Sequence, residues 1–317
     1  MSVVADLLVP RWNGGAGRLE VLYATVSDPV TGTGVWVHHE LVAGVKDGAQ
    51  VHGFTAVFRA GEAPVLERFG PVAATATGPS GWTGSTGTGA RLDPPVVSGG
   101  AGRLGWDLRW EEPDALQPLF TFPAWAWERE LLPGAQIVPV ASARWSGAVE
   151  VDGTKLELSP EARGAVAHIY GHGNAARWGW LHAELGGGDV LEVVAAVSRQ
   201  PGLDRLPPMS FVQLRTGGKD WPRDPMVAAP LFRTRLGLPA WDLKGTVGRW
   251  RLRAEIEIPL AQSVEVSYRD PDGSSATCTN SELADAEIVL EHRRARWEMA
   301  ASWSLRGTAH AEIGTRP

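Results

Sequence analysis

Polar and apolar residues alternate at every second position through most of this chain, and Gly, Pro and Asp cut the alternation into short runs. Arg249, Arg251, Arg253, Glu255 and Glu257, for example, interleave with Trp250, Leu252, Ala254, Ile256 and Ile258, which describes a strand wet on one face and buried on the other. No stretch longer than about a dozen residues keeps the 3.6-residue period of a helix. The fold class expected is therefore all-β. Strands are expected at Arg18–Ser27, Gly34–Ala43, Gln50–Arg59, Ile137–Ala141, Arg144–Val151, Gly164–His172, Arg177–Leu185, Asp189–Arg199 and Arg296–Arg306, among others. Only Trp125–Leu131 and Ser281–Ala286 are candidate helices. That many strands close barrels or stack sandwiches.

At 317 residues the chain has room for two domains. The halves each resemble a run of antiparallel strands, which suggests a duplicated barrel divided at 141/142, with a Pro- and Arg-rich excursion at about 200–240 in the second. Gly78–Gly89 is Gly/Ser/Thr-rich and is expected to be a loop. It is not a phosphate loop, because no Gly-Lys-Ser/Thr follows it. Thirty basic against 36 acidic residues, mixed along the chain, give a net charge of −6 and no electrostatic reason to expect nucleic acid. No apolar run approaches the roughly 20 residues of a membrane helix, and no secretory signal is evident, so a cytoplasmic protein is expected. The single cysteine, Cys278, cannot form an internal disulfide. No cofactor fingerprint or metal-ligand set is present, and no pattern bears on oligomeric state.

Fifteen Trp against seven Phe and three Tyr is the unusual feature of the composition. A buried indole removes ~150–250 Å² from water, yet its N–H still needs a partner, so Trp suits walls that are greasy and partly polar. Most of these rings serve as core filler on this reading. Those sharing a face with His or acidic groups stand apart: Trp36, Trp178 and Trp180. Residues 168–185 read HIYGHGNAARWGWLHAEL. In strand parity one face carries His168, Tyr170, His172, Trp178, Trp180, His182 and Glu184. If Gly173–Arg177 were a hairpin turn, His172 would face Trp178 and His168 would face His182, with opposed Cβ atoms about 5 Å apart. Such a face looks like a pocket lining. The competing reading is that the histidines only hydrogen-bond one another and a buried tyrosine.

The same stretch resembles the signature of the tocopherol cyclase, carotenoid 1,2-hydratase and AttH group of double lipocalin-like proteins, a Tyr-x-Glu-x-Asn-Trp-Gly run followed by Trp-x-Trp-x-Gln. Tyr170, His172 and Asn174 match its first part with His for the acidic residue; Trp178, Trp180 and His182 match its second with His for Gln. Ala175-Ala176 stands where the family has Trp-Gly. Residues 34–42, GVWVHHELV, are similar to the family's first-barrel Trp-x-His strand.

The resemblance implies two lipocalin-like barrels, an apolar barrel cavity, and cofactor-free chemistry on a hydrophobic polyene, isoprenoid or polyketide-derived. That chemistry would be hydration or cyclisation by proton transfer to an alkene, or a [4+2] closure as in related Diels–Alderases. Alkene protonation needs an acid, an electron-rich wall and exclusion of water. The candidate acids are His172 and His168, relayed through Tyr170. Trp178, Trp180, His182, Asn174, Trp36, His38 and Asp107 are the candidate substrate-binding residues, with His38 and Glu40 an orienting pair. The alternative is a carrier that holds a lipophilic ligand without turnover.

Overall fold

The computed structural model describes residues 6–74, 89–111, 118–129 and 134–317. Two large antiparallel sheets make up the fold, with 11 and 10 strands. The first holds β1 (Arg18–Asp28), β2 (Thr33–Gly44), β3 (Gly48–Arg59), β4 (Val65–Ala73), β5 (Ala90–Asp93), β6 (Val96–Ala101), β7 (Leu104–Trp110), β8 (Leu119–Phe120), β9 (Gly134–Val151), β10 (Thr154–Glu157) and β11 (Arg163–Gly171). The second holds β12 (Arg177–Gly186), β13 (Asp189–Val197), β14 (Met209–Thr216), β15 (Lys219–Trp221), β16 (Phe232–Arg235), β17 (Ala240–Val247), β18 (Trp250–Glu257), β19 (Val264–Arg269), β20 (Ser275–Arg293) and β21 (Trp297–Thr315).

The strand orders are β4-β3-β2-β1-β11-β9-β7-β6-β5 and β15-β14-β13-β12-β21-β20-β18-β17-β16. Each begins with a four-strand meander whose first strand also pairs with the last strand of its own repeat. The chain is thus a duplicated lipocalin-like barrel: its alternation predicted the all-β class, and the family resemblance implied the pair of lipocalin-like barrels. Among the described residues no helix is long and apolar enough to cross a membrane.

Four expectations need correction. Residues 173–177 do not turn a hairpin: β11 pairs with β1 and β9, while β12 pairs with β13 and β21 in the other sheet. A strand pair has no period that distinguishes a tight turn from a crossing between sheets, so this could not be read from alternation. The 141/142 division runs through β9, and the change of sheet comes at 172–176. The segment 200–240 is no excursion, since it contributes β14, β15 and β16. Ser281–Ala286 lies within β20 rather than in a helix, because pairing with β21 outweighs the helix propensity of Glu, Leu and Ala. A five-residue helix, α1 (Ala124–Glu128), covers part of the Trp125–Leu131 candidate. Most of the Gly78–Gly89 loop lies outside the described residues.

Strands β1, β2, β11, β12 and β13 are buried on both faces along most of their length, whereas outer strands such as β7, β17 and β18 keep one face in water. One face of the first sheet fills its own barrel with Leu22, Val26, Val35, Val37, Leu41, Leu108, Trp110 and Trp145. One face of the second does the same with Leu181, Leu191, Val193, Leu214, Leu252 and Ile288. The opposite faces meet: Tyr23, Trp36, Phe54 and Val138 of the first sheet pack with Trp178, Trp180, Val266 and Tyr268 of the second. This interlayer carries the polar chemistry.

Candidate functional site

Strand register lays the second sheet's interlayer face out in rows. Val194, Trp180, Glu312, Asn280 and Val264 are successive cross-strand partners on β13, β12, β21, β20 and β19. The next row reads Ala196, Trp178, Gly314, Cys278 and Val266. Gly314 leaves a gap that the Trp178 indole covers, for a Cβ there would lie 2.0 Å from ring atoms of Trp178. So placed, Trp178 donates its Nε1–H to Glu312 Oε1 at 2.7 Å.

Glu312 is strongly altered by these surroundings. Burial pushes its carboxyl up to about 7, and Glu282 and Glu192 add to the rise, against hydrogen bonds from Trp178 and Cys278. It sits deep enough for desolvation to dominate, yet the residue keeps some accessible surface. Near neutrality it is therefore substantially a carboxylic acid, able to donate a proton. Two phenols stand close by. Burial, with the neighbouring carboxylates, raises Tyr23 well above its ordinary value, and burial with Cys278 and Glu312 does the same for Tyr268. Both keep their hydroxyl protons.

From the first sheet, His38 enters an aromatic box, with ring centroids 5.0 Å from Trp36, 5.4 Å from Tyr268, 5.8 Å from Phe54 and 6.2 Å from Tyr23. Burial lowers its pKa despite Glu40, so the imidazole is neutral. Glu40 Oε2 lies 3.5 Å from His38 Nε2 and 3.4 Å from His52 Nε2. Burial works against the Glu40 charge, but the two histidines outweigh it and hold the carboxyl down at about 2. The expected His38–Glu40 pair is thus brought together, at a separation longer than a good hydrogen bond. His39, of opposite parity, faces Phe69 in the first barrel.

A second polar cluster adjoins the first. Gln136 Nε2 and Trp180 Nε1 donate to Glu192 Oε1 at 2.5 and 2.6 Å, and His182 Nδ1 meets Glu192 Oε2 at 2.7 Å. The His182 and His310 rings are 5.7 Å apart. His310 and Thr25 both bond Glu282 Oε2, and Ser27 Oγ lies 3.3 Å from His310 Nε2. Thr25, Ser27 and Gln136 belong to the first sheet, so these bonds tie the layers together.

The proposed wall of seven residues is split. Trp178, Trp180 and His182 face the interlayer with Trp36 and His38. His168 faces the other way, completely buried, with Nδ1 2.7 Å from the Leu7 carbonyl and Nε2 2.8 Å from Glu20 Oε1. Glu20 also accepts the backbone N–H groups of Arg11 and Trp12 at 2.6 and 2.9 Å. With both ring nitrogens occupied, His168 is a clamp for the N-terminal segment. Tyr170 packs near it under the Arg11 and Arg18 guanidiniums. His172 is exposed, its Nδ1 3.0 Å from the Gly17 carbonyl, and stands outside the layer. Asn174 bonds Asp270 through both backbone and side-chain nitrogen at 2.9 Å. Asp107 is exposed on β7. The reason is topological: β11 and β12 belong to different sheets, so shared parity along 168–184 does not mean a shared face.

An outcome follows for the clamp. Glu20→Ala is expected to cost about 2–4 kcal/mol, because it strands two backbone donors and a buried imidazole. His172→Ala should stay within about 0.5 kcal/mol. Urea midpoints and protease cleavage near residues 6–17 test both; equal effects would refute the assignment.

The fold is that of a double lipocalin-like protein, with an acid-bearing aromatic layer between its two sheets. The tocopherol cyclase-like family model matches residues 75–315, and the chain belongs to that family. It is 47% identical over 308 residues to the uncharacterised protein Rv0493c of Mycobacterium tuberculosis strain H37Rv, covering 97% of this chain and 89% of that one. Similar solved structures share the fold at low identity. CghA, solved with Sch210972, has a TM-score of 0.60 at 12% identity, covering 94% of this chain and 88% of CghA. Kievitone hydratase from Nectria haematococca has 0.57 at 10%, covering 97% and 93%. The AttH-like NE1406 protein of Nitrosomonas europaea has 0.55 at 14%, covering 95% and 93%.

Glu312, Glu192, Glu282, His310, Tyr23 and Tyr268 escaped the sequence reading. One signal was available: in Thr308–Thr315, His310, Glu312 and Gly314 alternate with Ala309, Ala311 and Ile313, which continues the strand beyond the Arg306 end assigned to it.

Proposed function

We propose that this protein catalyses proton-initiated cyclisation, hydration or isomerisation of a hydrophobic, unsaturated substrate, isoprenoid or polyketide-derived, in the interlayer between its barrels. The observation that carries this reading is Glu312, a carboxylic acid pushed up to about 7 by burial and held by Trp178 beside Trp180 and Tyr268. An acid kept neutral near pH 7 in an apolar setting is a proton donor. Glu312 gives its proton to one alkene carbon, leaving the positive charge on the other. The faces of Trp178, Trp180, Tyr23 and Tyr268 favour that cation electrostatically. A hydroxyl of water or of the substrate bonds the cationic carbon, and its proton goes to the neutral His38 or back to Glu312. A proton enters on carbon and one leaves from oxygen, so the step needs no redox partner. A fold neighbour named as a hydratase is consistent with this chemistry.

Positioning matters as much as the acid. A placed acid is worth about 10²- to 10⁴-fold, whereas folding a substrate into its reactive shape can supply ~7–11 kcal/mol.

The test is incubation in D₂O with a panel of polyenes and prenylated phenols, followed by mass spectrometry. One non-exchangeable deuterium on carbon per turnover is the expected result. Cyclised product without deuterium would replace proton transfer by a pericyclic closure, and unchanged ligand recovered in complex would make the protein a carrier.

A further inference from the structure

Basic residues are scattered along the sequence, but the fold gathers seven of the 30 at one end of the second sheet. Arg249 occupies the turn between β17 and β18, and Arg294 and Arg296 the turn between β20 and β21. The two turns touch, for the Arg293 backbone N–H donates to the Arg249 carbonyl at 2.7 Å. Behind them Lys244, Arg251 and Arg253 point outward, opposite in parity to Leu243 and Leu252 of the barrel core. Trp297 lies among these cations, its ring centroid 4.5 Å from the Arg251 guanidinium and 6.0 Å from that of Arg293. Met299, across from Glu291, is 68% exposed. Two carboxylates answer the seven cations. Glu291 accepts two bonds from Arg251 at 2.6 and 2.7 Å and lies 3.4 Å from Arg253, while Glu298 lies 3.8 Å from Arg296. Lys244, Arg249, Arg293 and Arg294 have no acidic partner among the described residues. From the next cross-strand row onward the same face turns acidic: Asp242, Glu255, Glu257, Asp285 and Glu287 surround a groove with two arginines.

We infer that the β17–β18 and β20–β21 turns form a docking surface for an anionic phospholipid bilayer, on which the protein rests peripherally. Charge separated lengthwise on one face turns the basic end toward a negative surface and the acidic end away from it, although the whole chain carries −6. The cations are spread too widely to close on a single phosphate, since Arg253 stands about 10 Å along β18 from the turn at ~3.3 Å per residue. An extended array of phosphates matches that spread. Nucleic acid is the poorer match, because the Trp297 ring already contacts two guanidiniums where a base would have to stack. An indole beside arginines, with Met299 bare next to it, suits the headgroup level of a bilayer. The inference does not depend on the proposed reaction, because docking is read with no substrate present.

The experiment sediments the full chain with vesicles of phosphatidylcholine, and with vesicles of equal parts phosphatidylcholine and phosphatidylglycerol. The mixed vesicles should bind it roughly tenfold more tightly or better, and added salt should weaken that binding. Arg293→Glu combined with Arg294→Glu should remove the preference. Arg91→Glu combined with Arg109→Glu makes the same charge change at exposed sites of the first sheet and should leave binding within about twofold of wild type. Equal binding to the two kinds of vesicle would overturn the inference. So would equal losses for the two reversed pairs, which would make net charge rather than these turns the cause. A gel shift with duplex DNA, where the vesicles leave the protein in the supernatant, would overturn it in favour of a nucleic acid. Should the reversed pair fail to fold, Arg293→Gln combined with Arg294→Gln puts the same question to the same turns.

Discussion

Glu312→Gln should abolish turnover, by roughly 10²- to 10⁴-fold, and at the same time make the folded protein more stable above pH 7. The two effects have one cause. Burial raises the carboxyl from 4.5 to about 7, so between those values the native state binds a proton that the unfolded chain has released. Stability therefore falls as pH rises through this window, and above 7 the cost of a buried charge is present in full. For a shift of this size that cost is roughly 3 kcal/mol at most. Glutamine keeps the shape, can still accept from Trp178, and carries no charge, so the variant escapes the cost and loses the proton. Glu184 has the same sign, being raised to about 7 by burial with His182, Ser142 and Arg163 opposing, so the variant keeps part of the wild-type slope. Urea midpoints from pH 5 to 8.5, set beside the turnover measured in the deuterium experiment, test both halves. A variant that kept activity, or whose pH slope matched wild type, would refute the acid assignment. A merely structural Glu312 would show destabilisation with lost activity, the opposite pairing.

Alternation carried the fold because strands such as β7, β18 and β19 keep one wet face, whereas β1, β2, β11 and β12, buried on both faces along most of their length, show their period only in the contrast of polar with apolar side chains. Trp36, Trp178 and Trp180 stand out in the sequence because each shares a strand face with His or Glu, and all three lie in the interlayer. His38 and Glu40 share one face of β2, but that pattern alone fits an outward polar stripe equally well, and only the family resemblance points His38 inward. The acid was not legible. Choosing His172 and His168 assumed that 168–184 was one hairpin, whereas β11 closes the first sheet against β1 and β12 opens the second. Nor does parity say whether a face looks into a barrel or between barrels. Leu22 and Tyr23 are neighbours on β1, yet one fills the lumen and the other the interlayer. Glu312 comes from the last strand, far in sequence from the tryptophans, and only the β12–β21 register sets Trp180 opposite it.

That register makes a glycine the second sensitive point. Gly314→Ala is expected to lower activity by more than tenfold and to cost about 1–3 kcal/mol of stability, the usual range for overpacking a well-filled site. The added methyl would meet Trp178 at 2.0 Å, so the indole has to leave its place over the strand. Moving it breaks the Nε1–H bond to Glu312, one of the interactions that hold the carboxyl down. The acid then titrates higher still, and the alkaline limb of the pH–rate profile should move up even as the rate falls. Trp178→Phe separates the two causes, since it removes the same donor without adding a clash: its profile should shift in the same direction with a smaller loss of stability. Rate profiles from pH 5 to 9 and thermal midpoints for both variants decide the matter. Were Gly314→Ala to leave the profile where wild type has it, Trp178 would be a wall and not a partner of the acid, and the link between the Gly314 gap and proton transfer would fail.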